Sequence, residues 1–264
     1  MNRYALLPIL MLIASIARAQ SVYIEDLTWP EVRDAIAAGK TTAIIYSGST
    51  EQNGPHLALG KHNFIAHYVA GRIAEELGDA LVYPTMPFAP TGDFLLKTGH
   101  LRFPGSVSVS SDVYIGVASQ VALSAIIAGF KQVYLMGDHG GGQKELKLAA
   151  ENLDEVWGEK GVRIRYVPDS YLKEKDQSEK YLKEHHIATD EHAGTDDTSE
   201  TMFIDTAHKW LRTDKLAYSD SASEPKTGVN GDPTKASAAM GKVFIDFKVN
   251  DALAQIRAFR TSKP

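Results

Sequence analysis

The stretch TTAIIYSGSTEQNGPHLALGKHN, residues 41–63, decides the fold and indicates the chemistry. Its first six residues form an apolar-rich run that predicts a buried β-strand. The strand opens into a turn that contains glycine and proline and carries the carboxylate of Glu51. From His62 to Leu77 apolar residues recur at helical spacing, and Gly78 follows as a helix terminator. A strand, a polar turn and a helix in succession predict an α/β unit with its functional groups at the carboxyl end of the strand.

The alternation of strands and helices continues along the chain. Further strands are predicted at 80–86, 132–136 and 162–167. Helices are predicted at 28–38, 143–157, 171–186 and 198–211, and another runs from Ser110 or Ser111 to 127. Residues 219–232 are predicted to form a loop that is followed by a C-terminal helix. Because the strands are almost continuously apolar, we expect an α/β fold with a mostly parallel sheet covered on both faces. A single domain over residues 20–264 is the simplest organisation.

The first twenty residues have the layout of a secretory signal peptide. Arg3 precedes an apolar segment at 5–16, and Ala17-Arg18-Ala19 matches a cleavage site. The alternative, a membrane anchor, is disfavoured because this segment is shorter than the ~20 apolar residues that span a bilayer. We therefore predict that residues 1–19 are a cleaved signal peptide and that the mature protein is periplasmic or secreted.

The composition excludes several classes of partner. Loss of Arg3 and Arg18 with the leader takes the formal charge from -5 to -7, so the mature chain has no electrostatic reason to bind nucleic acid or anionic lipid. The absence of cysteine excludes disulfides and thiolate chemistry. We also expect no second apolar run long enough to cross a membrane, and hence no membrane association after cleavage.

Three potential metal ligands follow two of the predicted strands. Glu51 and His62 flank the turn at Gly54-Pro55, and His139 directly follows a strand within GDHGGG, residues 137–142. A single histidine in such a place is more often a hydrogen-bonded structural residue, but three groups at adjacent strand ends favour a metal site. A carboxylate and two imidazoles leave a coordination position open for water.

Two further stretches have alternative interpretations. GDHGGG could form a phosphate loop before a helix, but it lacks the Lys-Ser/Thr of a P-loop and the G-x-G-x-x-G spacing. The stretch EHAGTDDTSETM, residues 191–202, contains His192 and Asp197. Its acidic residues suit a helix N-terminus, whereas a histidine and a carboxylate beside an activated water would be proton-transfer partners.

Several motifs together resemble the creatininase (creatinine amidohydrolase) family. They are LTWPEV, GSTEQNGPHLALG, HLRFPGSVSVS, GFKQVYLMGDHGGG, EHAGTDDTS and GVNGDPTKAS, in the family's order from Leu27 to the C-terminal helix. The resemblance implies a three-layer α/β/α fold, a homo-oligomer such as the hexamer of creatininase, and metal-dependent hydrolysis of non-peptide amide C–N bonds. Members typically hold two adjacent divalent ions, zinc or manganese.

The resemblance also places the family's functional positions on residues of this chain. Glu51 and His139 fall on ligands of the first ion, and His192 on the catalytic histidine. Three positions carry residues that differ from the family's: Asn53 for a histidine of the second ion, His62 for the bridging aspartate, and Asp197 for a glutamate. Gly141 falls where creatininase has a second-ion glutamate and many relatives have glycine.

These departures change what is expected of the metal site. An imidazole nitrogen cannot bridge two ions as a carboxylate does, and a carboxamide is a poor ligand beside imidazole. We therefore predict one ion held by Glu51, His62 and His139, with zinc preferred over manganese. Asp197 would be an additional ligand or a proton-transfer group.

The expected reaction is attack of a metal-activated water on an amide carbonyl of a small molecule. His192, oriented by Asp197, would pass the proton to the leaving nitrogen. Substrate contacts are predicted for His100, Gly140, Gly141 and Asn53, and Asp138 would either orient His139 or cap a turn. Creatinine itself is disfavoured, because Gly140 and Ala188 stand where creatininase has aromatic residues.

Two other functions compete with this hydrolase. The altered ligands also suit an exported binding protein that kept the fold and lost catalysis. A nucleotide-binding protein that uses GDHGGG is the least favoured, because the fingerprint is missing.

Overall fold

Four parallel strands form the central sheet of the computed structural model, which describes residues 21–261. They are β1 (Thr42–Ser47), β2 (Ala80–Val82), β3 (Gln132–Gly137) and β4 (Arg163–Tyr166), in the spatial order β2-β1-β3-β4. Ser47 pairs with Gly137, so β1 and β3 end side by side. The predicted parallel sheet is confirmed, whereas the predicted signal peptide lies outside the described residues.

The part of the chain between 21 and 261 contains eight α-helices. They are α1 (Trp29–Ala37), α2 (Lys61–Leu77), α3 (Ser111–Ala128), α4 (Gln143–Trp157), α5 (Leu172–Glu184), α6 (Thr195–Ile204), α7 (Glu224–Thr227) and α8 (Ala238–Thr261). Short 3-10 turns are found at Ile24–Asp26, Gly99–Arg102, Gly158–Lys160, Thr213–Lys215 and Pro233–Lys235.

Helices cover both faces of the sheet. Ile45 and its neighbours on one face pack against α3 and α4, and Ile44 and Tyr46 on the other face pack against α2 and α8. The alternation follows from the two-residue period of a strand. The arrangement is the three-layer α/β/α fold that the sequence motifs imply.

The polar turn between β1 and α2 is held over the carboxyl edge of the sheet. The amide of Gly48 donates to the carbonyl of Met86, and the amide of Glu51 donates to the carbonyl of Leu59, each at 2.9 Å. α2 begins at Lys61 and ends at Leu77, and the next residue, Gly78, has a φ of +75° that favours glycine. These contacts fix the position of Glu51 relative to the first turn of α2.

Three predicted boundaries differ from the structure. The second strand ends at Val82 because Pro84 cannot donate to the ladder, and Met86 only forms an isolated bridge. The helix predicted to reach 211 ends at Ile204, because the carboxylate of Asp205 accepts three backbone amides from residues 209–211. The loop predicted at 219–232 contains the short helix α7.

Helix α3 corrects the expectation about apolar runs. By length and composition it is long and apolar enough to cross a membrane. One side of it, including Tyr114, Ala118 and Ala122, is buried in the core beside the sheet. Its other side is exposed, with Val113, Val117 and Ile127 at the surface, so the helix covers one face of the sheet.

Candidate active site

A cavity of about 220 Å³ opens at the carboxyl ends of β1 and β3. Its wall combines residues from the turn after β1, the loop after β3, the segment around His192 and helix α8. Nearly all of these residues carry charged or polar side chains. The cavity therefore lies where a parallel α/β sheet places its functional groups.

Glu51 is the centre of the cluster of potential metal ligands. Its Oε2 lies 2.8 Å from His139 Nε2, and its Oε1 lies 3.2 Å from His62 Nε2. One ligand atom from each of the three residues lies within 4.8 Å of the others, and all three side chains are buried. The structure thus brings together the three residues predicted to hold the ion.

The other ring nitrogens of both histidines have partners that suit metal binding. His62 Nδ1 donates to Asp138 Oδ2 at 2.9 Å. His139 Nδ1 lies 3.0 Å from both the carbonyl oxygen and the amide nitrogen of Gly141, and it binds the carbonyl when it carries the ring proton. In that tautomer each ring has its Nε2 lone pair available to a cation beside Glu51. Glu51 Oε1 is buried and accepts no hydrogen bond among the described residues. The donor set therefore fits a divalent cation.

The electrostatics of Glu51 and His62 act on a cation in different ways. Burial alone would raise the pKa of Glu51, but the imidazoles of His139 and His62 outweigh it and hold the pKa well below its usual value. Burial and Lys61 would lower the pKa of His62, but Asp138 and Glu51 outweigh them and raise it, so a cation has to displace a proton from this ring. Glu51 is thus an anion, as a ligand of a divalent cation must be.

Asp138 forms a hydrogen bond with His62 and not with His139, which corrects the expectation that it orients His139. Its second oxygen, Oδ1, lies 3.1 Å from Lys248 Nζ, and that ammonium also contacts Glu174 at 3.0 Å and Glu200 at 3.3 Å. Burial opposes the charge of Lys248, but the three carboxylates outweigh it and raise its pKa well above the usual value. Burial raises the pKa of Glu174 and Glu200. The buried cluster holds Asp138 in place behind His62.

Two more histidines, His100 and His192, lie near Glu51. His100 Nε2 lies 3.6 Å from Glu51 Oε1, and the rings of His100 and His192 are 4.5 Å apart. Glu51, His100 and His192 form a second group of potential ligands within 4.8 Å of one another. Burial lowers the pKa of each of these two histidines to about 4, so both rings are neutral near pH 7.

Asp197 does not orient the ring of His192, contrary to the prediction. Its Oδ1 forms an ion pair with Lys61 Nζ at 2.6 Å, and its Oδ2 accepts the amide of Ala193 at 2.7 Å. His192 Nε2 instead lies 2.9 Å from the carbonyl oxygen of Gln52. Asp197 therefore fixes the backbone beside His192, and Lys61 balances its charge.

The predicted substrate contacts divide into two groups. His100 and Gly140 line the cavity, whereas Asn53 and Gly141 do not. Asn53 is fully buried and donates to the carbonyl oxygen of Glu51 at 2.8 Å. A Cβ on Gly141 would lie 2.0 Å from the carbonyl oxygen of Pro90. The last two residues support the ligands from behind, which corrects the expectation that they contact substrate.

Sequence reasoning missed Gln52, Lys61 and the cluster around Lys248. The position of Lys248 had a detectable signal: it shares the buried face of α8 with Phe244, Ile245 and Ala252. A lysine on an apolar helix face is buried only when it has partners. For Gln52 the sequence carries no comparable signal, because its role depends on which way its amide points.

Comparison with known proteins gives one consistent family. The family model described as Creatininase: Creatinine amidohydrolase matches residues 25–256. A mycofactocin precursor peptide peptidase from Mycolicibacterium smegmatis is 28% identical over 236 residues, covering 82% of this chain and 84% of that protein. A creatinine amidohydrolase from Pseudomonas putida is 27% identical over 121 residues, covering 46% of each chain.

The fold also matches solved structures. A crystal structure of creatinine amidohydrolase (creatininase) superimposes with a TM-score of 0.77 at 20% identity, covering 93% of this chain and all of the other. Similar creatininase structures are described as zinc and manganese forms. At this identity the likeness establishes the fold.

Proposed function

The chain belongs to the creatininase family, and from this premise we propose that it is a metal-dependent hydrolase that cleaves an amide C–N bond. The observation that carries the proposal is the convergence of Glu51, His62 and His139, with the Nε2 atoms of both histidines beside the carboxylate. Asp138, which accepts the Nδ1 proton of His62, supports the same role.

A divalent cation held by these three residues would supply Lewis acidity and lower the pKa of a water toward ~7. Side chains of the protein would supply the proton transfer and the positioning. His192 is neutral, half-buried and part of the cavity wall, so it can accept a proton and return it to the leaving nitrogen. The Lys61–Asp197 ion pair holds the backbone of His192 while that proton moves.

We propose one ion, with zinc preferred over manganese. Glu51 is the single carboxylate among the three ligands, and His62 offers one nitrogen to the ion while its other nitrogen is bound to Asp138. Asn53, at the position of a second-ion ligand in the family, points at backbone carbonyls. These contacts support a mononuclear site.

The cavity supports a compact, polar amide as substrate. Its wall carries seven carboxyl groups and three lysines, so it offers a substrate both hydrogen-bond acceptors and donors. About 220 Å³ accommodates a small molecule or the end of a peptide. A non-peptide amide remains the proposed class, and the peptide end is the alternative suggested by the peptidase relatives.

The proposal is tested on purified mature protein by metal analysis and by hydrolysis of two amide panels. One panel contains small cyclic and acyclic amides, and the other contains short peptides with blocked and free termini. We expect about one equivalent of zinc and turnover of members of the first panel. Less than about 0.2 equivalents of metal after gentle purification would count against the enzyme and favour an exported binding protein.

We also propose that the protein is exported and that it forms a homo-oligomer. The leader at 1–19 supports export to the periplasm or the medium, and the family resemblance supports a homo-oligomer such as a hexamer. N-terminal sequencing of the mature protein and light scattering test the two statements separately.

A further inference from the structure

We propose that Gln52 fixes His100 and His192 in the Nε2–H tautomer, which makes His100 a hydrogen-bond donor to the reacting carbonyl oxygen and excludes it from metal binding. The catalytic part of this inference rests on the proposed hydrolase function. The tautomers themselves follow from hydrogen bonds and are testable without substrate.

The orientation of the Gln52 amide is determined by its surroundings. Its Oε1 accepts the backbone amide of Gly54 at 3.0 Å, so its Nε2 is the atom that lies 3.1 Å from His100 Nδ1. The side chain is buried and closely packed: a Cβ on Gly228 would lie 2.0 Å from Gln52 Oε1. An amide NH₂ group only donates, so His100 Nδ1 must accept and the ring proton resides on Nε2.

The backbone of the same residue determines the tautomer of His192. The carbonyl oxygen of Gln52 lies 2.9 Å from His192 Nε2. A carbonyl only accepts, so Nε2 carries the proton and Nδ1 is the acceptor atom of the ring. Gln52 thus leaves His192 able to take a proton through Nδ1.

The histidines around Glu51 differ in what their Nδ1 atoms contact. His62 Nδ1 donates to Asp138, and His139 Nδ1 lies 3.0 Å from both the carbonyl oxygen and the amide nitrogen of Gly141, so neither ring is held with its proton on Nε2 by a side-chain donor as His100 is. His100 instead presents an N–H group to Glu51 Oε1 at 3.6 Å. A cation among Glu51, His100 and His192 would have to displace that proton and break the contact with Gln52. The tautomer of His100 thus leaves Glu51, His62 and His139 as the group that can bind the ion.

The N–H group of His100 then has a role in the reaction. It lies within the same cavity and beside the same carboxylate as the proposed ion. A fixed donor at that place can hydrogen-bond to the carbonyl oxygen of an amide and to the negative charge that develops on it. Gln52 is a positioning residue, because it acts through His100 and His192 and does not line the cavity.

The test is NMR of protein labelled with ¹⁵N in its histidines, recorded at about pH 8, where ordinary histidines are neutral. Signals are assigned with single histidine variants. In wild type we expect a protonated Nε2 in His100 and His192 and an unprotonated Nδ1. Addition of Zn²⁺ should shift the signals of His62 and His139 and leave the tautomer of His100 unchanged. Protonated Nδ1 in His100, or loss of its Nε2 proton on addition of Zn²⁺, overturns the inference.

The variant Gln52→Glu provides a second test of the inference. A carboxylate only accepts, so we expect His100 to move its proton to Nδ1 and kcat to fall by about 10²-fold with little change in KM. Gln255→Glu is the matched control, because Gln255 only accepts the amide of Asp169 away from the cavity. An unchanged tautomer in Gln52→Glu contradicts the inference. Absence of hydrolysis in wild type with the expected tautomers would count against the proposed function alone.

Discussion

The substitution Asp138→Asn tests whether the buried carboxylate behind His62 tunes metal affinity. Asp138 accepts the Nδ1 proton of His62 at 2.9 Å and is itself bound to Lys248. Asparagine keeps the shape and a neutral acceptor but loses the charge that makes the hydrogen bond strong. Loss of such a carboxylate behind a metal-binding histidine typically weakens metal affinity 10–100-fold, or about 1.4–2.7 kcal/mol. We expect a loss in this range.

The fold should survive this change because the charge of Lys248 keeps two partners. Glu174 and Glu200 remain at 3.0 and 3.3 Å from its Nζ. The charge of Asp138 raises the pKa of both glutamates, so its removal favours their ionisation and restores the balance around the lysine. Thermal unfolding of the metal-free variant should therefore show a folded, cooperative protein.

The assay is competition for Zn²⁺ between the protein and a chromophoric chelator. Asp251→Asn is the control, because Asp251 is also buried and pairs with Lys173 outside the cavity. The control should bind Zn²⁺ as tightly as wild type. An affinity for Asp138→Asn within about threefold of wild type, which is less than the smallest expected loss, would refute the reasoning. An equal loss in both variants would show a general effect of removing buried charge.

Three further predictions follow from the described contacts. His62→Ala removes a ligand atom and should abolish tight metal binding, whereas Asn53→Ala should retain it; the metal content of purified protein decides. Gly141→Ala places a Cβ 2.0 Å from the carbonyl oxygen of Pro90, so we expect a lower melting temperature and weaker Zn²⁺ binding. Burial lowers the pKa of His56 from 6.5 to about 4, so between these values the unfolded chain binds a proton that the folded chain does not, and stability falls as pH falls. Between about pH 7.5 and 5, wild type should lose about 1–2 kcal/mol more free energy of unfolding than His56→Gln in urea titrations.

Each of these predictions has a result that contradicts it. Equal metal loss in His62→Ala and Asn53→Ala would show that both side chains bind the ion. Gly140→Ala is the control for Gly141→Ala, because its Cβ would meet only the hydroxyl of Tyr171 at 3.0 Å; equal destabilisation would refute the steric argument. Parallel acid sensitivity of wild type and His56→Gln would show that burial of this histidine does not contribute.

Local signals allowed most of the fold to be predicted. The capping box of Thr28 and Glu31 is present where expected, and α4 has the predicted bounds at Gln143 and Trp157. The end of α6 was missed, because it depends on the side chain of Asp205 accepting amides several residues later. In such a helix end, a side chain competes with the helix for backbone amides, and the spacing of apolar residues carries no information about that competition.

The site was predictable where one segment carries the function and unpredictable where distant segments meet. Glu51 and His139 lie directly after strands that end side by side. Lys248, in contrast, meets Asp138 and Glu174 across separations of 110 and 74 residues. No local sequence pattern predicts contacts between residues so far apart in the chain. The buried position of Lys248 on α8 only indicates that it needs partners of opposite charge.

Charge balance gives the strongest argument for a single ion. A second ion bound by Glu51, His100 and His192 would share the one carboxylate of the first ion. The two other acidic groups nearest these histidines are already engaged: Asp138 by His62 and Lys248, and Asp197 by Lys61. Two divalent cations beside one shared carboxylate would repel each other across a poorly solvated cavity with little compensating negative charge. His62 and Lys61 thus both support the proposed single ion, because His62 brings an imidazole and no carboxylate to the site and Lys61 neutralises the carboxylate of Asp197.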